Sequence, residues 1–297
     1  MTRKVTEGYM PFKGFQTYYR IVGEGTPGKA PLIMLHGGPG STHNYFEVLD
    51  DLADDGRQII MYDQLGCGNS YVEGHDELWH VETWDEELIA LREHLGLDEC
   101  HLLGQSWGVM LEIEYVCNYQ PKGIKSMILS SGLASCELWA QEQHRQMKLV
   151  LTPEEQKAVT DAEASGDFSS PLLVQATDKF MQYFCCESSY GPDDPECLRR
   201  KPKKNPMCYL STQGANEFGA TGSFKDWEYR DKIGGIEQPC LVINGTNDLC
   251  TPLVAKNLYD SIPNAEWELF PNCRHMCFVE AHDKYKELVT KWLNDHD

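Results

Sequence analysis

With 297 residues, 41% of them hydrophobic and 10% aromatic, the chain can bury one large core, or a core carrying an insertion. A net charge of −20 argues against nucleic acid or an anionic membrane as partner. No run of about 18 apolar residues is present, which rules out a membrane-spanning helix.

Basic residues at the start, Met1 to Glu7, have no apolar stretch behind them, so no signal peptide is expected. Twelve scattered cysteines without a CxxC pair fit free thiols in a reducing cytoplasm. Gly8 to Phe12 and Phe15 to Val22 alternate, are rich in aromatics and flank Lys13-Gly14, which predicts an antiparallel hairpin. Pro31 to Leu35 is a compact apolar run suited to a buried parallel strand. It ends in His36-Gly37-Gly38-Pro39-Gly40, a loop that can turn backbone N–H groups toward a ligand. No Lys-Ser/Thr follows, so a phosphate loop is excluded, and an ordinary turn is the plain alternative.

Gln58 to Tyr62 predicts the next strand, followed by Asp63-Gln-Leu-Gly-Cys-Gly-Asn-Ser70. Thr83-Trp-Asp-Glu86 has the form of a capping box, with Leu88, Leu91 and Leu95 on one helix face before Gly96. Glu99 to Leu103 then predicts a short buried strand, Val109 to Tyr119 a helix and Ser126 to Ser130 another strand. Repeated strand, loop and helix imply an α/β chain with a parallel sheet.

From Leu133 to Trp227 helical signals continue without strands, as in an inserted cap between core segments 1–132 and 228–297. Thr152-Pro153-Glu154-Glu155 predicts a capped helix start. Pro192 to Pro206 reads as a loop, and its basic run Arg199 to Lys204 as solvated. Cys185-Cys186 reads as two unpaired structural thiols. Strands resume at Cys240 to Asn244 and Glu266 to Phe270, with helices at Pro252 to Ser261 and about Asp283 to Asn294.

The chemistry converges on Gly104-Gln105-Ser106-Trp107-Gly108, a G-x-S-x-G pattern placed between a predicted strand and a predicted helix. That context belongs to a nucleophile elbow, where a tight turn lifts a serine hydroxyl above the end of the sheet. Serine needs an adjacent base, and the base needs a carboxylate to hold its tautomer. Asp248 and His275 each follow a strand, giving the order Ser106, Asp248, His275. The N–H of Trp107 and that of Gly37 or Gly38 are the expected oxyanion donors. Cys273 and Cys277 flank His275 but match no standard zinc spacing, so neither a metal nor a cofactor is expected.

His36 to Gly40, Asp63 to Ser70 and Gly104 to Gly108 together resemble the proline iminopeptidase family of α/β-hydrolases. Gly214 to Phe218 and Thr221 to Trp227 are similar to the tricorn-interacting aminopeptidase and its relatives, which include L-amino-acid amidases. The resemblance implies an α/β-hydrolase fold, a mostly parallel eight-stranded sheet with an inserted helical cap. It implies hydrolysis of a small N-terminal residue, often proline, from a peptide, amide or arylamide, through a Ser-His-Asp acyl-enzyme. Glu217 matches a cap glutamate that binds the free α-amine, and Tyr209 a cap tyrosine near the reacting centre.

There are departures from the pattern. Leu249 stands where close relatives often carry a second amine-binding glutamate, which implies a weaker hold on ammonium or a different preferred amine or amide. Val109 replaces a small residue after the elbow, and Glu112 is an unusual charge on that helix. A carboxylesterase or lactonase on the same three residues is the alternative reading.

Overall fold

The computed structural model describes residues 3–187 and 189–297. Alternating residues in β1 (Val5–Phe12) and β2 (Phe15–Val22) pair antiparallel around Lys13-Gly14, as the pattern requires. The apolar runs become β3 (Leu32–Leu35), β4 (Ile59–Tyr62), β5 (Cys100–Gln105), β6 (Ile124–Ser130) and β7 (Cys240–Gly245), with β8 (Ala265–Phe270) at the far edge. All residues of β3, β4, β5 and β7 are buried, which explains continuous apolar sequence in place of alternation.

These strands form one eight-stranded sheet in the order β1-β2-β4-β3-β5-β6-β7-β8. β2 runs antiparallel to both neighbours and every other pairing is parallel. The chain leaves β3 toward β4 and later returns on the other side of β3 as β5. Strand order therefore reverses between β3 and β5, and a crevice opens beyond their carboxyl ends. The loop from His36 and the turn at Ser106 both start there.

Helices cover the two faces. α1 (Val81–Leu95) and α2 (Trp107–Glu114) pack on one side, where Trp84, Leu88, Trp107 and Leu111 share a core with Ile33 and Leu102. 3-10 turns over His43–Asp55 and the terminal helix contribute Phe46, Leu52, Tyr285 and Trp292 to the opposite core. The Thr83 capping box is not formed. The helix begins three residues earlier, with His80 at its cap, and Thr83 is a buried first-turn residue whose N–H reaches the His80 carbonyl. Val81 packs against the core, and burying it extends the helix past the local capping signal. The helix expected to run to Tyr119 ends as a π-turn over Tyr115–Tyr119.

Between β6 and β7 lie α3 (Cys136–Val150), α4 (Pro153–Ser165), α5 (Pro171–Phe184), α6 (Glu196–Arg199) and α7 (Pro206–Thr212). The Thr152 capping box is complete: its side chain accepts from Glu155 N–H, and the Glu155 carboxylate accepts from Thr152 N–H at 2.7 Å. Met147, Val159, Phe180 and Phe218 give these helices their own apolar centre, separate from the sheet. The 192–206 stretch contains one helical turn, α6. Its basic run is partly engaged, since Arg200 pairs with Glu47 at 2.7 Å and Lys203 lies 3.3 Å from the Tyr71 ring centre. α8 (Pro252–Ser261), α9 (Cys277–Glu280) and α10 (His282–Asp295) complete the chain.

Candidate active site

Ser106 has φ 58° and ψ −119°, a backbone region that L-residues rarely enter. Two close contacts hold it there. Its N–H bonds to the Ser130 carbonyl at 3.0 Å, and Gly108 packs so near β3 that a Cβ would lie 2.0 Å from the Leu35 oxygen. Any side chain at Gly108 would push α2 off the sheet and lower the serine.

His275 and Asp248 come from the loops after β8 and β7. The His275 Nδ1–H donates to Asp248 Oδ1 at 2.7 Å, which leaves Nε2 as the basic nitrogen. Asp248 is fully buried and heavily bonded. Oδ2 accepts from Ser131 Oγ at 2.6 Å and from Gly245 N–H at 3.2 Å, and Oδ1 also accepts from Cys250 N–H at 2.8 Å. Four donors satisfy both carboxylate oxygens inside the protein. Asp248, Cys250 and His275 place three potential metal-ligand atoms within 4.8 Å of one another. Asp248 is engaged with the His275 ring and with the Cys250 backbone N–H, while the Cys250 thiol makes no bond to it among the described residues.

Two backbone bonds tie the loops to the end of α5. The Phe184 carbonyl, at the end of α5, accepts from both Leu249 N–H (3.2 Å) and His275 N–H (3.1 Å). From α3, Gln146 donates to the Asp248 carbonyl at 2.8 Å and Gln143 to the Leu249 carbonyl at 2.6 Å.

The Gly-rich loop approaches Ser106 from the other side. A Cβ on Gly37 would lie 2.7 Å from Gln105 Oε1 and 3.2 Å from Ser106 Cβ, so only glycine fits. The Gly37 N–H already donates to the Tyr45 hydroxyl at 2.5 Å, which in turn donates to Gln105 Oε1 at 2.9 Å. Of the two glycines considered, Gly38 is therefore the one with an uncommitted N–H among the described residues. Trp107 opens α2, where first-turn N–H groups have no intrahelical partner. Its indole donates to Gln64 Oε1 at 2.8 Å and stacks on Phe224 at 4.9 Å.

Behind the loop, Gln64 N–H donates to His36 Nε2 at 3.0 Å, and His36 Nδ1–H faces the Gly37 carbonyl at 2.8 Å. Burial pushes His36 down to about 4, so it is neutral and serves as a brace for the loop. Asp63 anchors the adjacent turn through His43 (2.7 Å) and Asn69 N–H (2.8 Å). Burial opposes the His43 charge, but its bonds to Asp63 and Glu47 outweigh that and lift it to about 9.

Ser106, His275, Trp107, Gly37, Gly38, Glu217 and Tyr209 all line one cavity of about 630 Å³, with Asp248 behind His275. Its other walls are largely apolar, including Met110, Leu133, Trp139 and Leu249. Tyr209 donates to Glu217 Oε2 at 2.7 Å. Burial raises the Glu217 carboxyl above its ordinary range, and the Tyr209 bond only partly offsets this. Leu249 is 8% exposed and packs with the apolar cluster around Phe180 and Phe218. Val109 fills the space over Gly132, where a Cβ would lie 2.3 Å from that of Val109. Ser131, Tyr45, Gln64 and the Phe184 carbonyl were not singled out from sequence. Ser131, just past a strand end, carries a weak positional signal, whereas a backbone carbonyl carries none.

The alpha/beta hydrolase fold family model matches residues 30–282. Proline iminopeptidase of Clostridioides difficile (strain 630) is 57% identical over 294 residues, covering 99% of this chain and 100% of that one. Among solved structures, VinJ matches with TM-score 0.87 at 29% identity, covering 98% of this chain and 99% of its own. Proline iminopeptidase of Mycobacterium smegmatis matches with TM-score 0.85 at 30% identity, covering 98% of each chain.

Proposed function

This chain belongs to the proline iminopeptidase family of α/β-hydrolases, and we propose that it is a serine aminopeptidase releasing a small N-terminal residue, proline among them. Ser106 Oγ attacks the carbonyl of that residue while His275 Nε2 takes the proton. Asp248 holds the Nδ1–H tautomer and stabilises the imidazolium. The oxyanion is met by the N–H groups of Trp107 and Gly38. His275 then returns the proton to the departing amine, and water releases the acyl group from Ser106.

Glu217 sets the substrate class. A carboxylate with one protein donor, in a largely apolar cavity, gains most from a cationic α-amine, and Tyr209 keeps it oriented. Residues 133–227 act as the cap that brings this carboxylate over the serine. Peptides with a free N-terminus are therefore the substrates, and amino-acid amides fit the same site. The observation that carries the reading is one cavity holding Ser106, the Asp248-supported His275 and the half-buried Glu217.

Prolyl and alanyl β-naphthylamides, with their N-acetylated forms, test it. Free-amine substrates are expected to turn over and acetylated ones to fail, and Ser106→Ala to remove about 10^6-fold of kcat. Equal turnover of acetylated substrates would remove Glu217 from its role. An esterase or lactonase on the same residues is not favoured, because a charged amine-binding carboxylate contributes nothing to a neutral ester.

A further inference from the structure

Thiols concentrate around the cavity. Cys136, Cys185, Cys186 and Cys250 all line it, although the reaction uses none of them. Cys136 and Cys250 are buried, and burial pushes both up, Cys136 to about 12. Cys185 and Cys186 differ from them. They are adjacent in sequence where α5 ends, each is only half-buried, and both face the cavity. The neighbouring Cys185 thiol, with His275, Arg274 and Lys204 nearby, draws Cys186 below an ordinary thiol against the effect of burial. Cys273 and Cys277 are a second thiol pair, one helical turn apart in sequence, but both are buried and neither lines the cavity.

The pair also adjoins a structural joint. Phe184, immediately before Cys185, supplies the carbonyl that accepts from both Leu249 N–H and His275 N–H. A change in the turn at 185–186 acts directly on the loops that carry Asp248 and His275.

We propose that Cys185 and Cys186 form a vicinal dithiol site in the cavity wall, which takes an organic arsenic(III) compound and silences Ser106 when filled. An arsenic(III) bearing one organic group and two hydroxyls exchanges both hydroxyls for the two sulfurs. Two As–S bonds form, two As–O and two S–H bonds break, and two waters leave. Arsenic remains trivalent, so neither an oxidant nor a reductant is involved. Cys186 attacks first and Cys185 closes the ring. The second bond is intramolecular, so a monothiol competes poorly with it. The organic group then occupies the cavity beside His275, and the ring constrains the turn after Phe184.

Phenylarsine oxide, hydrated in water, is the probe, applied to the full chain. Intact mass should show one phenylarsenic per chain, and peptide mapping should place it across Cys185 and Cys186. Labelling of Ser106 by a fluorophosphonate should fall on the order of tenfold or more. Dimercaptopropanol should restore it, and 2-mercaptoethanol at equal thiol should not. Cys185→Ser and Cys186→Ser should each abolish the dithiol-reversible loss. No adduct, an adduct across Cys273 and Cys277, or full labelling with Cys185–Cys186 occupied would each overturn the proposal. Should a serine variant fail to fold, the wild-type peptide map decides alone. Because mass and Ser106 labelling involve no peptide substrate, this result is separable from the aminopeptidase reading.

Discussion

Asp248 and Glu217 are carboxylates serving the same cavity, and they are held in opposite ways. Asp248, in a loop of the sheet, accepts from Ser131, Gly245, Cys250 and His275. Glu217, in the cap, has one donor among the described residues, Tyr209. A carboxylate with saturated acceptors has its burial compensated within the protein, and in the proposed reaction it is the group that supports the imidazolium. One with a single donor is left under-solvated, and that energy is available to a cationic ligand. Glu112 extends the series: among the described residues its buried carboxyl oxygens have no hydrogen-bond partner, and burial pushes it well above its ordinary range. Here the group is a neutral acid, and its proton is the cheapest way to avoid a naked charge.

The contrast can be broken at each member, beginning with the largest effect. Asp248→Asn keeps the shape but reverses the donor pattern toward His275, and should lower kcat by about 10^4-fold with little change in KM. A loss below tenfold, measured on prolyl β-naphthylamide, would mean that His275 does not depend on this carboxylate.

Glu217→Gln should lower kcat/KM for free-amine substrates by roughly thirtyfold to a hundredfold, leaving residual turnover of acetylated ones unchanged. Its pH signature follows from the raised carboxyl. Only the ionised form pairs with ammonium, so activity falls as pH is lowered through the raised value. The glutamine variant should lose that acidic limb, which a pH series of kcat/KM reads directly.

Glu112→Leu tests the neutral acid through stability. Its folded-state pKa lies above the unfolded one, so wild-type stability is full below about pH 4.5 and declines as pH rises toward the folded value. Glu87 and Asp85, each raised to about 8 chiefly by burial, add to the decline between pH 4.5 and 8. The leucine variant should be more stable than wild type by about 2 kcal/mol at pH 8, with the gap closing toward pH 5, in urea melts. An equal gap at both pH values would place the effect in packing.

The smallest expected effect is at Leu249→Glu. A carboxylate beside Asp248, facing Phe180 and Phe218, should destabilise the fold by about 1–2 kcal/mol. It should also lower KM for free-amine substrates, because a second acceptor then meets the ammonium. Unchanged KM would mean that the Leu249 side chain does not face the amine.

Legibility followed the range of the signal. The hairpin at Phe12 and Phe15, the cap of α4 at Thr152 and the helix at Pro252 depend on neighbouring residues, and local sequence describes them well. Thr83 misled because an equally good local pattern sat inside a helix whose start was decided by burying Val81. The loop over 192–206 hid one helical turn and an ion pair to Glu47, a partner about 150 residues away in sequence.

What the sequence determined by itself was the order of strands and helices and the candidates Ser106, Asp248 and His275, because periodicity and turn chemistry are short-range. Membership of the family added Glu217 and Tyr209. Tertiary structure alone decided which glycine keeps an uncommitted N–H, since the hydroxyl that engages Gly37 comes from Tyr45. It likewise decided that one carbonyl, Phe184, ties the end of α5 to the loops carrying Asp248 and His275. Side-chain identity records what a residue can donate or accept, but only packing from distant segments determines which of those bonds are made.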